Sequence, residues 1–545
     1  MKRLIPIAAS VLALSVAAAI YVARLDRVVG MIVDDAWYVL LAKALATGQG
    51  YTLINSPTPG ITPFYPPAFP ALLAIFYRLS PHFPDNVWLL KSVSIAAMIG
   101  AGFVSFRYFT RYRALPGEVS FALAFATAIY PPLVFLATST VMSECVYTLL
   151  QLGAIVLIER SVRRAGPGAA PASAWRSAAA GAALASLAFL TRAAGLGLVI
   201  GSVIYLLKEK SWKPTLVFTA VVAILTGPWI LYSRSHQPTA EQRVEQGGSI
   251  VLSYSAQFFD RVAGRPDAGR ITTADVPERV WDNLVEIGTA DMGAFVFYSA
   301  FRPVEPGETV LISDAAVVSS LCFAFVALAG YIAAAREKWT LAEIATPLAL
   351  ATCVLWGWEQ YRLLVPLAPF FFFYLWTGAR SIVRSFRRIT GGADRTGARG
   401  EAIALALVAW LFVVSALDGN YRYIQKKYHP VAANRTQWIR AFEENEAFIR
   451  YIGANVPKDE TIAVGNPALV NLYTGHKTIS SNSADVRWRV WNRLGVRYYA
   501  TISPYPVEYD ANQIRYPTIH RSEGFLDLRL LDLGPPASRG AWGKD

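Results

Sequence analysis

The sequence predicts a polytopic α-helical membrane protein of about eleven transmembrane helices, with a large first outer loop bearing amphipathic helices and a small C-terminal α/β outer domain. Three observations carry that reading. Of 545 residues, 54% are hydrophobic and only 16% charged, against about 25% charged in soluble domains. Long runs without charge approach the ~20 residues that cross a bilayer. Lys and Arg gather in the short loops between those runs, so the net charge of +13 reads as membrane orientation rather than nucleic-acid binding.

The spans fall near residues 4–22, 86–106, 117–136, 140–159, 214–233, 310–335, 340–357, 361–380 and 402–418, with two more between 177 and 207. The first follows Lys2 and Arg3 and is long for the core of a signal peptide, even though Ala17, Ala18 and Ala19 offer small residues for cleavage. Charge resolves the stretch 177–207. Arg160, Arg163, Arg164 and Arg176 precede it, and Lys208, Lys210 and Lys213 follow it. Both flanks belong inside by the positive-inside rule, so the chain crosses twice and Arg192 marks the outer turn. The same rule puts Arg107, Arg111, Arg113, Arg336, Lys338 and the Arg cluster 380–399 inside. The N-terminus is then cytoplasmic and the tail lies outside an inner or plasma membrane.

This topology divides the chain into a transmembrane region, 1–418, and an outer C-terminal domain, 419–545. Large outer loops span 24–85 and 234–309. In the tail, Trp438, Ile439, Phe442, Phe448, Ile449 and Ile452 have helical spacing within 434–452, and strand-like runs follow at 461–464, 496–502 and 526–531. Cys145, Cys322 and Cys353 fall in apolar segments and read as small hydrophobes.

Charge near a bilayer is costly, on the order of 2.5–3.5 kcal/mol at the centre on insertion scales. The exceptions are therefore informative: Asp34, Asp35, Glu144, Arg192, Arg234, Glu359 and Arg362 all fall on or near the outer face. Asp34 and Asp35 open an amphipathic helix, 34–46, where acids also serve as caps. Two adjacent acids leave one free for general-base chemistry. Arg192 and Arg362 suit a phosphate, which a guanidinium meets with a planar fork; snorkelling at a helix end is the alternative. Glu144 either lines the cavity or pairs with an Arg. His236 lies outside the membrane, and none of the five histidines has metal-ligand spacing to another His or Cys. No cofactor is expected, and a divalent ion held by carboxylates stays open.

The segment "DDAWYVLLAKALATGQGYT" with the later "YPPAFPALLA" resembles the first outer loop of GT-C class membrane glycosyltransferases, of the protein O-mannosyltransferase-like and aminoarabinose-transferase-like kinds. Ser143-Glu144, "FLTRAAGLGL" at 189–198 and "EQYRLLVPLAP" at 359–369 extend the resemblance along the chain. The acid pair is Asp-Asp where Asp-Glu is common, and Tyr65 stands where Lys often precedes Pro-Pro. The resemblance implies sugar transfer from a polyprenyl-phosphate donor to a glycan, lipid or protein acceptor at the non-cytoplasmic face, by inversion. It implies Asp34 as base, Asp35 orienting the acceptor, Arg192 and Arg362 on the donor phosphate, and Glu144, Tyr65, Tyr361, Glu359 and His236 around the cavity. A transporter or flippase for a lipid-linked or small polar substrate is the alternative; it predicts charges at the midplane rather than at one face.

Overall fold

Helices occupy every position at which the sequence carries a long apolar run. The computed structural model describes residues 4–32, 34–164, 171–246, 254–262, 265–303, 305–306, 310–358, 360–389, 395–481, 487–503, 516–522 and 524–535. Its first ten helices are α1 (Leu4–Arg24), α2 (Asp34–Ala46), α3 (Ala68–Leu79), α4 (Val87–Arg111), α5 (Gly117–Ala128), α6 (Pro131–Thr138), α7 (Glu144–Arg163), α8 (Pro171–Thr191), α9 (Gly195–Lys208) and α10 (Trp212–Ser235). Four further apolar helices follow later in the chain: Asp314–Glu337, Leu341–Val354, Ala368–Ile389 and Arg395–Lys427.

Among the described residues, six helices are long and apolar enough to cross a membrane, and seven if the pair α5–α6 counts as one span. The sequence expectation of eleven is larger for a physical reason. The run 117–136 is bent by 41° between α5 and α6, where Pro131-Pro132 cannot continue the preceding helix. α9 and Leu341–Val354 have 14 residues each, which at 1.5 Å per residue is about 21 Å, short of a ~30 Å hydrocarbon core. The chain does reverse inside 177–207: α8 and α9 are separate helices joined at Arg192. Gly195 permits this turn, since a Cβ there would lie 2.6 Å from the Phe189 backbone.

The spans pack by close backbone approach. Gly330 on Asp314–Glu337 meets the Tyr374 carbonyl, and Gly378 meets the Val326 carbonyl, so near that a Cβ on either would overlap backbone. Small residues at helix crossings are the usual way membrane helices gain van der Waals contact.

The tail is built on the amphipathic helix Gln437–Asn455, which buries Trp438, Phe442, Phe448, Ile449 and Ile452. Strands β1 (Asp260–Val262) and β2 (Arg265–Arg270) form a separate hairpin in the second outer loop. The tail strands are β3 (Ile462–Val464), β4 (Thr478–Ser480), β5 (Tyr498–Ala500), β6 (Thr518–Arg521) and β7 (Arg529–Asp532), in the order β4-β3-β5-β7-β6. β4, β3 and β5 run parallel; β7 and β6 are antiparallel additions. The predicted runs at 461–464, 496–502 and 526–531 correspond to β3, β5 and β7.

The tail grips the first outer loop through hydrogen bonds at Asn55 and Gly30 and through ring packing of Tyr473 on Phe83. Thr478 donates its N–H to the Asn55 carbonyl at 2.8 Å, and the Asn55 side chain donates back to the Thr478 carbonyl at 3.1 Å. The Asn466 amide donates to the Gly30 carbonyl at 2.5 Å, at the N-terminus of the short helix Pro467–Thr474. Gly30 has φ of +85°, and Leu469 fills the space a side chain would need. Through these contacts the tail abuts the turn that carries the acid pair.

Candidate functional site

α2 starts at Asp34 because the turn at Gly30 before it is closed by the second acid. Asp35 is fully buried. Its carboxylate accepts the Gly30 N–H at 2.7 Å and the Ala36 N–H at 3.2 Å. The neighbouring Asp34 points the other way, with 17% of its side chain exposed. The two acids of the sequence motif thus separate into a backbone-organising group and an open one. Asp35, expected to orient the acceptor, is buried here with its carboxyl turned to the loop backbone.

Asp34 meets residues from distant parts of the chain. The Tyr65 hydroxyl donates to its Oδ1 at 2.8 Å, and Arg362 Nη2 donates to its Oδ2 at 2.6 Å. Arg362 stands on the short helix Gln360–Leu364, before the 3₁₀ turn Val365–Leu367. Its Nε lies 3.4 Å from Glu144, which opens α7 and is fully buried. Arg192, at the α8–α9 turn, completes the group at 2.8 Å from the same Glu144 oxygen and donates to the Ser143 hydroxyl at 3.2 Å. Tyr38, one helical turn along α2 from Asp34, bridges to the Ser143 hydroxyl at 3.4 Å. Two carboxylates and two guanidiniums therefore alternate over a few ångströms. Neither Glu144 oxygen receives a well-aligned hydrogen bond among the described residues, so this buried carboxylate keeps acceptor capacity.

The other expected site residues lie elsewhere. Tyr361 turns away from its neighbour Arg362: its hydroxyl meets that of Tyr130 at 2.5 Å, and Arg302 covers its ring at 4.8 Å. Arg302 in turn pairs with Asp291 and Glu286. His236 caps the exposed end of α10 and stacks on Tyr232 at 4.1 Å, apart from the cluster; Arg234 is likewise exposed. Glu359 lies outside the described residues. Among the described residues, no three His, Cys, Asp or Glu side chains converge as a metal-ligand set.

Sequence reasoning overlooked a second polar group directly behind the loop. Lys91, fully buried in the second turn of α4, donates to the Asp26 carboxylate at 3.0 Å and to the Asp26 and Thr138 carbonyls at 2.8 Å each. Ser139 and Tyr423 also reach Asp26, and Arg24 bonds Asn420 at 2.8 Å. This network ties α1, α4, α6 and the helix Arg395–Lys427 together beneath the acid pair. A lone Lys inside an otherwise apolar run was the available signal.

Burial lifts the Asp35 carboxyl to about 6 from its ordinary 3.8, opposed by the Gly30 N–H bond and aided by the nearby Asp34 charge. Between those values the folded chain holds a proton that the unfolded chain has released. Stability therefore falls as pH rises from about 4 to 6, by on the order of 2–3 kcal/mol, and stays lower above that window. Asp35→Asn should lack this slope. Unfolding curves of both proteins in micelles at pH 4 to 6.5 check the point, and a wild type that gains on the variant with rising pH would contradict it.

No family model matches the chain, and no curated protein matches it by sequence. In fold the chain is similar to solved membrane glycosyltransferases of the GT-C class. Among solved structures the chain is similar to the archaeal oligosaccharyltransferase AglB from Archaeoglobus fulgidus, solved with an inhibitory peptide and a dolichol-phosphate. The identity is 13% and the TM-score 0.50, covering 90% of this chain and 69% of that one. ArnT from Cupriavidus metallidurans in the apo state aligns with 13% identity and a TM-score of 0.49, over 96% and 98% of the two chains. The mycobacterial arabinofuranosyltransferase AftD aligns with 11% identity and a TM-score of 0.42, over 96% of this chain and 40% of its own.

Proposed function

We propose that this protein is an inverting glycosyltransferase that moves a sugar from a polyprenyl-phosphate donor to a glycan, lipid or protein acceptor at the non-cytoplasmic membrane face. The observation that carries the reading is the meeting of Asp34, Glu144, Arg192 and Arg362, from four separated segments, in one partly open cluster. The fold neighbour AglB, solved with a dolichol-phosphate, supports a lipid-phosphate donor.

In this mechanism the acceptor hydroxyl attacks the anomeric carbon as the bond from that carbon to the phosphate oxygen breaks. Asp34 takes the hydroxyl proton, and the polyprenyl phosphate leaves with the bonding electrons. Arg192 and Arg362 meet the charge that grows on the phosphate. In the resting cluster Arg362 is bound to Asp34; a donor phosphate competes for that guanidinium and leaves the carboxylate to the acceptor. Glu144 keeps both guanidiniums in place and has oxygen lone pairs to offer a substrate hydroxyl. Tyr65 holds Asp34 in orientation through its second oxygen. The same reading counts α1, α8, α9 and Leu341–Val354 as spans beside the seven long apolar ones, eleven in all, with the N-terminus cytoplasmic and the tail outside.

The test is to supply purified protein in vesicles with a panel of polyprenyl-phosphate sugars and measure release of polyprenyl phosphate with and without acceptor. Acceptor-dependent release from one donor is expected, and release from none contradicts the proposal. Arg362→Ala should weaken polyprenyl-phosphate binding by roughly 10- to 100-fold, the loss of charge-assisted bonds worth about 1.5–3 kcal/mol. Titration of the lipid against both proteins reads this directly.

A further inference from the structure

The helix Val276–Glu286, in the second outer loop, is amphipathic in the reverse sense. In a water-soluble fold the apolar face of a surface helix turns inward and the polar face outward. Here Trp281, Leu284 and Val285 form one exposed face, with Trp281 67% exposed. Two of its polar residues, Arg279 and Asn283, point in. Arg279 is buried and donates to the Phe258 carbonyl at 2.6 Å and the Asp260 carbonyl at 2.5 Å. Asn283 donates to the carbonyls of Val354 at 2.8 Å and Trp356 at 3.0 Å, and Glu286 pairs with Arg302 at 3.3 Å.

The position of this helix says what covers the exposed face. Its continuation, Ile287–Asp291, docks on the span Asp314–Glu337: Ser320 donates to the Gly288 carbonyl at 2.7 Å and accepts the Gly293 N–H at 2.9 Å. Ser320 is about 9 Å along that helix from its first residue at 1.5 Å per residue, within one of the helices long and apolar enough to cross a membrane. The same span exposes Val318, Leu321 and Phe325, so the apolar face of Val276–Glu286 continues a lipid-facing surface. Glu278 and Asp282 are also exposed, on the flank that faces water when the apolar face is in lipid.

We infer that Val276–Glu286 lies in the plane of the outer leaflet as an interfacial helix, with Trp281, Leu284 and Val285 immersed in lipid. An in-plane helix of this kind buries its apolar face about 5–10 Å into the headgroup boundary, and Trp favours that level. Through Asn283 it also holds the break after Leu341–Val354 that leads to Arg362. This adds a membrane contact beside the proposed donor site, and the lipid contact itself does not depend on transferase activity.

Nitroxides at Trp281→Cys, Leu284→Cys and Asp282→Cys, in a Cys322→Ser background, would be measured by power-saturation EPR in phosphatidylethanolamine–phosphatidylglycerol vesicles. Positions 281 and 284 should be more accessible to oxygen than to a water-soluble nickel chelate, and position 282 the reverse. Nickel access at all three would overturn the inference in favour of an aqueous loop. Low access to both reagents would overturn it in favour of a protein partner, and added dipolar broadening would identify that partner as a second copy. Wild-type protein that turns over no donor would defeat the proposed function and leave these label results standing.

Discussion

Asp34→Asn is expected to lower sugar transfer by about 10²- to 10⁴-fold, the usual weight of a positioned general base. The substitution keeps the size of the side chain and an oxygen that can accept from Tyr65. It removes the group that takes the proton and the carboxylate that holds Arg362. Donor binding should therefore survive, or tighten as Arg362 loses its resting partner, and the loss should sit in kcat rather than KM. Initial rates with saturating donor, together with lipid titration, separate the two. Transfer within threefold of wild type would remove Asp34 from the role of base.

Glu144→Ala should have the largest effect on stability. Glu144 is fully buried, with guanidinium nitrogens of Arg192 and Arg362 at 2.8 and 3.4 Å. Removing it leaves two cations facing each other, one of them, Arg192, largely shielded from water. Breaking a buried pair by deleting one partner costs about 3–5 kcal/mol; partial solvation of Arg362 puts the expected loss near the lower end. Polyprenyl phosphate should restore part of it, because the phosphate supplies the missing anion. Unfolding in micelles with and without the lipid measures both effects. An unchanged unfolding midpoint would mean that Glu144 does not hold the cluster together.

The parts of this site legible in the sequence share one cause. Charge is expensive next to a bilayer, so Asp34, Glu144, Arg192 and Arg362 stood out singly, and the inside–outside distribution of Lys and Arg put them at one face. Their contacts were not legible, because they come from the first outer loop, the start of α7, the α8–α9 turn and the segment before Ala368–Ile389. Side-chain direction escaped for a different reason. Asp34 and Asp35 are adjacent acids at a helix start, and only the turn at Gly30 decides which one is buried. Tyr361 and Arg362 are adjacent too, and the short helix sends them to opposite sides.

In the fold, the helical spacing of Trp438, Phe442, Phe448, Ile449 and Ile452 marked the tail helix well, since its apolar face packs inward. β4 and β6 were missed: each carries a single apolar residue, Ile479 and Ile519, too little to mark a strand. The helix Val276–Glu286 carries a clear amphipathic pattern, yet its sequence alone does not say that Arg279 and Asn283 turn inward while Trp281 stays exposed.

The most direct measurement of the central claim is the anomeric configuration of the product, read by NMR after reaction of purified protein in vesicles with a polyprenyl-phosphate sugar and its acceptor. Direct displacement with Asp34 as base predicts a product inverted relative to the donor, with one polyprenyl phosphate released per sugar transferred. A retained configuration, or intact donor carried across the bilayer with no new glycosidic bond, would contradict it.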